Sequence, residues 1–287
     1  MATGQSADKL IHRLSKTRMG PCKQRTRVID LPSVRLISAK TKATPLEIEI
    51  ACLAHGVVPA RYLRNIGSIG VEGQAKLLRS TVAVCGAGGL GGTMTELLAR
   101  QGVGHLILID HDRFVENNLN RQIMATEGDL HKSKVKVAAE RVKRINSAVI
   151  VTPINKTINS QSVNDLIRDA DVVLDGLDNF VTRRIVAHAC NHLRIPFVHG
   201  AIAGFCGQLM VILPGDKGLN VLSDISSTEN GCGVEMLMGN PAATPAIVAA
   251  WQVQEAIKII TGIGHLIRNQ LVFLDFLDNT LDEIPLC

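Results

Sequence analysis

The chain predicts an α/β domain with a mostly parallel central sheet, helices on both faces and an extension of antiparallel strands. Short apolar runs at 81–85, 105–109, 149–154, 171–175 and 196–201 alternate with helical patterns at 92–101, 133–145, 161–167 and 180–193. That spacing is the signature of right-handed βαβ units. The first run passes directly into glycines spaced G-x-G-x-x-G, TVAVCGAGGLGG over 81–92, and the second, HLILI, ends at the acid Asp110.

Taken in order, residues 1–43 read as a basic, solvated and poorly ordered extension, since residues 1–28 carry seven Lys or Arg against one Asp. The formal charge of +5 therefore belongs to this segment, and the remainder is close to neutral. Residues 44–80 form a helical lead-in: Thr44-Pro45-Leu46-Glu47 has the form of a capping box with proline in the first turn, and Gly56 and Pro59 end the helix it starts. Residues 81–287 hold the alternating core. Within it, 207–213 adds a strand, Pro214 opens a polar, glycine-rich crossover loop over 214–240, and a helix at 243–261 and a strand at 270–275 complete the layers.

Composition narrows the function classes. A chain of 287 residues that is 46% hydrophobic and 20% charged buries a full core. No apolar run approaches the roughly 18 to 20 residues of a membrane span, so no membrane partner is expected. A basic tail alone does not make a nucleic-acid interface, and none is expected. Seven cysteines without a C-x-x-C pair disfavour a disulfide scaffold and point to a reducing, cytoplasmic setting.

The glycine turn gives the first chemical reading. Gly86 permits the tight turn, Gly88 lets backbone amides approach a phosphate, and Gly91 lets the following helix lie close to the strand. Asp110 is placed to hold a ribose hydroxyl. A nucleotide is the expected ligand. The connection DHDRFVENNLNRQ, residues 110–122, adds Arg121 as a bidentate fork for phosphate oxygens, with Asn118 and Gln122 as neutral partners. Lys134 opens an amphipathic helix, where by itself it reads as an ordinary solvated residue. The segment VVLDGLDN sets Asp178 at the carboxyl edge of the sheet, and a carboxylate beside phosphates fits Mg²⁺.

Seven motifs together resemble the ThiF/MoeB/HesA family, prokaryotic relatives of the ubiquitin-activating E1 enzymes. They are R-Y-x-R-N at 61–65, G-A-G-G-L-G at 86–91, D-x-D at 110–112, N-N-L-N-R-Q at 117–122, S-K-V at 133–135, L-D-N at 177–179 and Q-E-A-I-K at 254–258. The resemblance implies a Rossmann-like E1-type fold and ATP-dependent adenylation of the C-terminal carboxylate of a ubiquitin-like sulfur-carrier protein ending in Gly-Gly, with release of pyrophosphate. It implies that Gly86, Gly88 and Gly89 line the nucleotide, Asp110 binds the ribose, Asn118, Arg121 and Lys134 bind the phosphates, and Asp178 binds the metal. Asp112, Asn117, Leu119, Asn120, Gln122 and Asn179 join the ATP site through the same matched motifs. Arg64 is implied to reach ATP from the partner subunit of a homodimer. Attack by a carboxylate that is already ionised needs no general base, so positioning and charge neutralisation by Arg64, Arg121, Lys134 and Mg²⁺ are the expected catalytic work.

The sequence also departs from the family pattern. Members commonly hold zinc with two C-x-x-C pairs; here the first place reads PGDKGLNVL and the second pair is missing, so no structural zinc is expected. Cys232, in ENGCGVE, falls where some relatives carry a cysteine that links covalently to the carrier, and it is a candidate catalytic thiol with no basic residue near it in sequence. Trp251, His188, His192 and His199 read as packing or hydrogen-bonded structural residues. Three alternatives stay open at this level: a relative that adenylates a modified tRNA nucleoside, an NAD-dependent dehydrogenase or dinucleotide sensor, and an inactive partner subunit. A dehydrogenase leaves Arg64, Arg121, Lys134 and Asp178 without a task.

Overall fold

In the computed structural model, which describes residues 2–19, 25–219 and 238–286, an eight-stranded sheet organises the chain. Five strands run parallel: β4 (Thr81–Cys85), β5 (His105–Ile109), β6 (Ile150–Ile154), β7 (Val172–Asp175) and β8 (Phe197–Ala203). Antiparallel strands β9 (Cys206–Ile212), β10 (Gln270–Asp275) and β11 (Thr280–Pro285) extend one edge, giving the order β11-β10-β9-β8-β7-β4-β5-β6. The expected fold class is found.

Side-chain alternation explains the layers. In β4, Val82 and Val84 face a core shared with α4 (Ile66–Arg79), α5 (Gly89–Gln101), α6 (Lys134–Ile145) and α9 (Ala243–Thr261). Ala83 and Cys85 face the opposite core, with α7 (Val163–Ile167) and α8 (Phe180–Leu193). Strands buried on both faces lose the polar alternation of a half-exposed sheet, which is why each reads as a continuous apolar run. The edge strand β11 carries no such signal: all six residues are exposed, and Asp282, Glu283 and Pro285 blunt the edge against further pairing.

Residues 2–19 and 25–43, expected as part of a poorly ordered extension, are instead built into the fold. Helix α1 (Ala2–Leu14) leads into β1 (Lys16–Met19), which pairs antiparallel with β2 (Arg25–Ile29), and α2 (Leu31–Thr41) follows. Next come α3 (Pro45–Ala54) and β3 (Val57–Pro59), which pairs parallel with β2. Ile11, Ile29, Val34, Ile37, Ile48, Cys52 and Val57 close a core of their own. The charges that dominate the sequence here lie outside those apolar positions; Arg27 ties β2 back to α1 through the His12 carbonyl at 2.7 Å and Ser15 Oγ at 2.6 Å.

Local signals set the helix starts. The capping box at Thr44 is present, with Thr44 N donating to Glu47 Oε2 at 2.7 Å and Glu47 N to Thr44 Oγ1 at 3.2 Å. Asn179 caps α8 by accepting from Thr182 N at 2.8 Å. Helix α5 differs: Gly88 is its cap residue and no side chain satisfies its first amides. Among the described residues no helix is long and apolar enough to cross a membrane.

Candidate functional site

The chain turns from β5–β6 on one side of β4 to β7–β8 on the other, so β4 marks the topological switch of the parallel sheet. Ligands of open α/β sheets bind at the carboxyl ends of the strands at such a point. A crevice of about 200 Å³ lies there. Its floor is a close backbone contact: a Cβ on Gly86, whose φ is +90°, would stand 2.4 Å from Gly176 O, and one on Gly91 would stand 1.8 Å from Gly86 O. Gly88 is under no such pressure, since a Cβ there meets only the Gln122 side chain, Nε2 at 3.6 Å and Cδ at 3.9 Å. Its value is the space it leaves in front of the uncapped α5 amides, whose partial positive charge attracts anions.

Asp110 ends β5 with both oxygens fixed by backbone amides, Oδ2 by Ala87 N at 2.7 Å and Oδ1 by Asp112 N at 2.7 Å. Those bonds join the glycine turn to the end of the neighbouring strand. The Lys134 ammonium, with its side chain only 8% exposed, donates to Asp112 Oδ2 at 3.0 Å. Asp112 thus holds the lysine at the crevice wall, and His111 Nε2 stands 3.4 Å from its other oxygen.

Within 117–122 the structure divides the expected residues. Arg121 and Gln122 line the crevice. Arg121 is oriented by bonds to Asn117 O at 3.0 Å and Asn120 Oδ1 at 2.8 Å, and Gln122 Oε1 is buried with no partner among the described residues. Asn117, Asn118, Leu119 and Asn120 are not among the lining residues. Asn118 is buried inside its own turn, accepting from Val115 N at 3.1 Å and donating to Asn117 Oδ1 at 2.8 Å, and Asn120 donates to Asn240 O at 3.0 Å. These amides shape the loop that aims Arg121.

Of the other residues singled out in the sequence, Gly86, Gly88, Gly89, Asp110, Asp112, Lys134, Asp178 and Asn179 also border the crevice. Asp178 is exposed just past β7, with one oxygen 3.3 Å from Asn179 Nδ2. Arg64 lies elsewhere. In R-Y-L-R-N, Arg61 bonds to Asn146 and pairs with Glu49, Tyr62 donates to Glu49 Oε2 at 2.9 Å, and Asn65 donates to Gln74 Oε1 at 2.8 Å. Arg64 is exposed, borders no part of its own crevice and makes no side-chain bond with a described residue. Cys232 lies outside the described residues.

Sequence reasoning missed a buried polar group directly under Asp178. The fully buried Asp175 accepts from Arg183 Nε and from His199 Nδ1, each at 2.7 Å on Oδ2, and from Leu177 N at 3.0 Å on Oδ1. Burial by itself raises a carboxyl pKa, but the Arg183 charge and the His199 bond hold Asp175 below the usual range. Burial lowers His199, which stays a neutral imidazole: Nδ1 donates to Asp175 and Nε2 accepts from Gln208 Nε2 at 3.2 Å. The available signal was the pair of acids in VVLDGLDN, followed by an arginine one turn into the next helix.

The family model described as the ThiF family matches residues 62–286. The SAMP-activating enzyme E1 of Haloferax volcanii is 34% identical over 230 residues, covering 78% of this chain and 84% of that protein. The sulfur carrier protein ThiS adenylyltransferase of Escherichia coli is 35% identical over 208 residues, covering 71% of this chain and 82% of that protein. Other curated relatives are longer, and the chain spans about half their length. The crystal structure of E. coli MccB with ATP aligns with a TM-score of 0.69 at 23% identity, over 79% of this chain and 70% of that one, a likeness of fold.

Proposed function

The chain belongs to the ThiF family, and from that membership we propose that it adenylates the C-terminal carboxylate of a ubiquitin-like sulfur-carrier protein ending in Gly-Gly, using ATP and releasing pyrophosphate. One observation carries the reading: the uncapped start of α5, Arg121, Lys134 and Asp178 border a single crevice at the switch point of the sheet. A helix amide terminus and two cations in the same crevice as the exposed Asp178 carboxylate suit a triphosphate with its metal. The named activities of the Haloferax and E. coli relatives supply the substrate class.

In the reaction a carboxylate oxygen of the carrier attacks the α-phosphorus. An acyl–oxygen–phosphorus bond forms, the bond from that phosphorus to the oxygen bridging to the β-phosphorus breaks, and pyrophosphate departs with the electron pair. No proton moves. The α5 amides and Gly88 receive the phosphates, and Asp110 takes the ribose while its backbone bonds keep it oriented. Lys134 exchanges Asp112 for phosphate oxygen, and Arg121 meets the developing charge on pyrophosphate. Asp178 fits Mg²⁺ as a hard, exposed oxygen donor of the kind that shares the ion with substrate phosphates. Mg²⁺ held there by Asp178 would supply Lewis-acid charge neutralisation for the triphosphate.

Arg64 serves the partner subunit's crevice in a homodimer, which accounts for an arginine turned outward from a motif whose Arg61, Tyr62 and Asn65 are bonded inward. The unpaired thiols of Cys52, Cys85, Cys190 and Cys206 support a cytoplasmic setting. The test is ATP–pyrophosphate exchange with a Gly-Gly carrier as the required second substrate. Exchange supported by tRNA in place of the carrier rejects the reading.

A further inference from the structure

We infer that Arg183, braced by Asp175 and His199, is the positioning residue that sets where the Asp178 carboxylate stands. The inference rests on the reading of Asp178 as a metal-binding group and asks what holds that group still. Arg183 uses two guanidinium nitrogens at once: Nε donates to Asp175 Oδ2 at 2.7 Å and Nη2 donates to Leu177 O at 2.6 Å. Asp175 Oδ1 in turn accepts from Leu177 N at 3.0 Å. The backbone of Leu177 is therefore gripped at its N–H by Asp175 and at its C=O by Arg183. Asp178 is the next residue. On its far side Asn179 is fixed as the cap of α8, so the exposed carboxylate hangs between two immobilised neighbours.

The brace reaches well beyond that turn. His199, from β8, donates to the same Asp175 oxygen as Arg183, and Gln208, from β9, bonds to the far ring nitrogen of His199. Gln252, from α9, donates to the Asp175 carbonyl at 2.9 Å and to Val198 O at 3.2 Å. Three elements, α8, β8 and α9, thus converge on the last residue of β7, and β9 stands behind His199. A buried ion pair adds little net stability over apolar packing of the same shape, whereas its fixed geometry confers specificity of position. Mg²⁺ demands near-ideal octahedral distances, so a ligand free to swing on an exposed loop would bind it poorly.

A positioning role and a structural role part in one comparison. ATP binding to the full chain is measured by calorimetry in EDTA and in excess Mg²⁺, for the parent, Arg183→Gln, Asp178→Ala and the double variant. Arg183→Gln is expected to keep metal-free ATP affinity within about twofold and to lose about 10- to 100-fold of the affinity that Mg²⁺ adds, the usual effect of removing a group that orients a metal ligand. In the Asp178→Ala background it is expected to add nothing, because the residue it positions is gone. A loss of metal-free affinity as large as the loss with Mg²⁺ overturns the inference, as do additive effects in the double variant or no effect at all. The single Asp178→Ala variant reports separately on the reading beneath: if it binds MgATP like the parent, that reading falls and the inference with it. Should Arg183→Gln fail to fold, His199→Asn, which leaves the Arg183 bonds in place, is expected to give a smaller loss confined to the Mg²⁺-dependent part; an unchanged Mg²⁺ response there contradicts the brace.

Discussion

The Lys134 ammonium stands 3.0 Å from Asp112, a buried cation held at the crevice wall by a half-exposed carboxylate. The pair keeps the lysine in place while leaving the phosphates able to compete for it. Lys134→Ala is expected to lower kcat/KM for ATP by on the order of 10²–10³, the usual loss when one preorganised donor to developing charge is removed. Asp112→Asn, which removes the competitor, is expected to bind ATP at least as tightly as the parent. Steady-state exchange kinetics and nucleotide titration check both; undiminished turnover in Lys134→Ala rejects its role.

Two glycines three residues apart are expected to fail in different ways. An alanine Cβ at Gly91 would stand 1.8 Å from Gly86 O, backbone against backbone, so Gly91→Ala is expected to destabilise the fold by about 1–3 kcal/mol or more. At Gly88 the nearest atom is 3.6 Å away, so Gly88→Ala is expected to melt like the parent and to lose nucleotide affinity. Thermal unfolding and ATP titration on both variants separate the two roles, and equal melting temperatures would contradict the packing account.

Arg64→Ala is expected to leave stability unchanged, since the side chain makes no bond with a described residue, and to abolish exchange. A mixture of Arg64→Ala and Lys134→Ala subunits, each inactive alone, tests where the arginine acts. If it acts across a homodimer, random re-association gives heterodimers with one intact site and about a quarter of parental activity. If it acts within its own subunit, mixing restores nothing.

These tests rest on parts of the molecule that were unequally legible in the sequence. The turn from β4 into α5 was legible because its determinants are local, an apolar run meeting glycines at fixed spacing. Helices α8 and α9 appear over the residues their patterns indicated, Phe180–Leu193 and Ala243–Thr261. The folded segment before Thr44 was hidden because α1, β2 and α2 each bury only a few residues and β1 buries none, and their shared core exists only once Ile48 and Val57 arrive from later in the chain. Strand β11 was hidden because none of its residues is buried. Residue type and the matched N-N-L-N-R-Q motif made Asn118 an expected phosphate partner, and what the sequence did not show is that its amide closes the local turn. Asp175, Arg183 and His199 come from β7, α8 and β8, and only the completed sheet shows that they meet.

Acid is expected to weaken a tie at the end of β9. Asp216 accepts from Leu213 N at 2.9 Å and from Arg268 Nε at 3.0 Å and Nη2 at 2.7 Å, and the Arg268 guanidinium holds its carboxyl below the ordinary value of 3.8. Because the folded pKa is the lower one, the stability this carboxylate contributes is complete above the unfolded value and disappears as pH falls through the folded value. Arg268 is exposed, so solvent screening keeps the contribution small. Urea unfolding of the parent and Asp216→Asn is expected to differ at pH 7 and to converge once the pH lies well below the ordinary value of 3.8; a gap that persists in acid contradicts the assignment.

The central claim is that this crevice activates a carrier's C-terminal carboxylate with ATP, and ATP–pyrophosphate exchange tests it most directly. Purified chain with ATP, Mg²⁺, labelled pyrophosphate and a ubiquitin-like carrier ending in Gly-Gly is expected to form labelled ATP, to stop when the carrier lacks its last glycine, and to stop in the Asp178→Ala variant. Exchange that proceeds equally without the carrier, or a carrier that binds while no ATP is ever consumed, would contradict it.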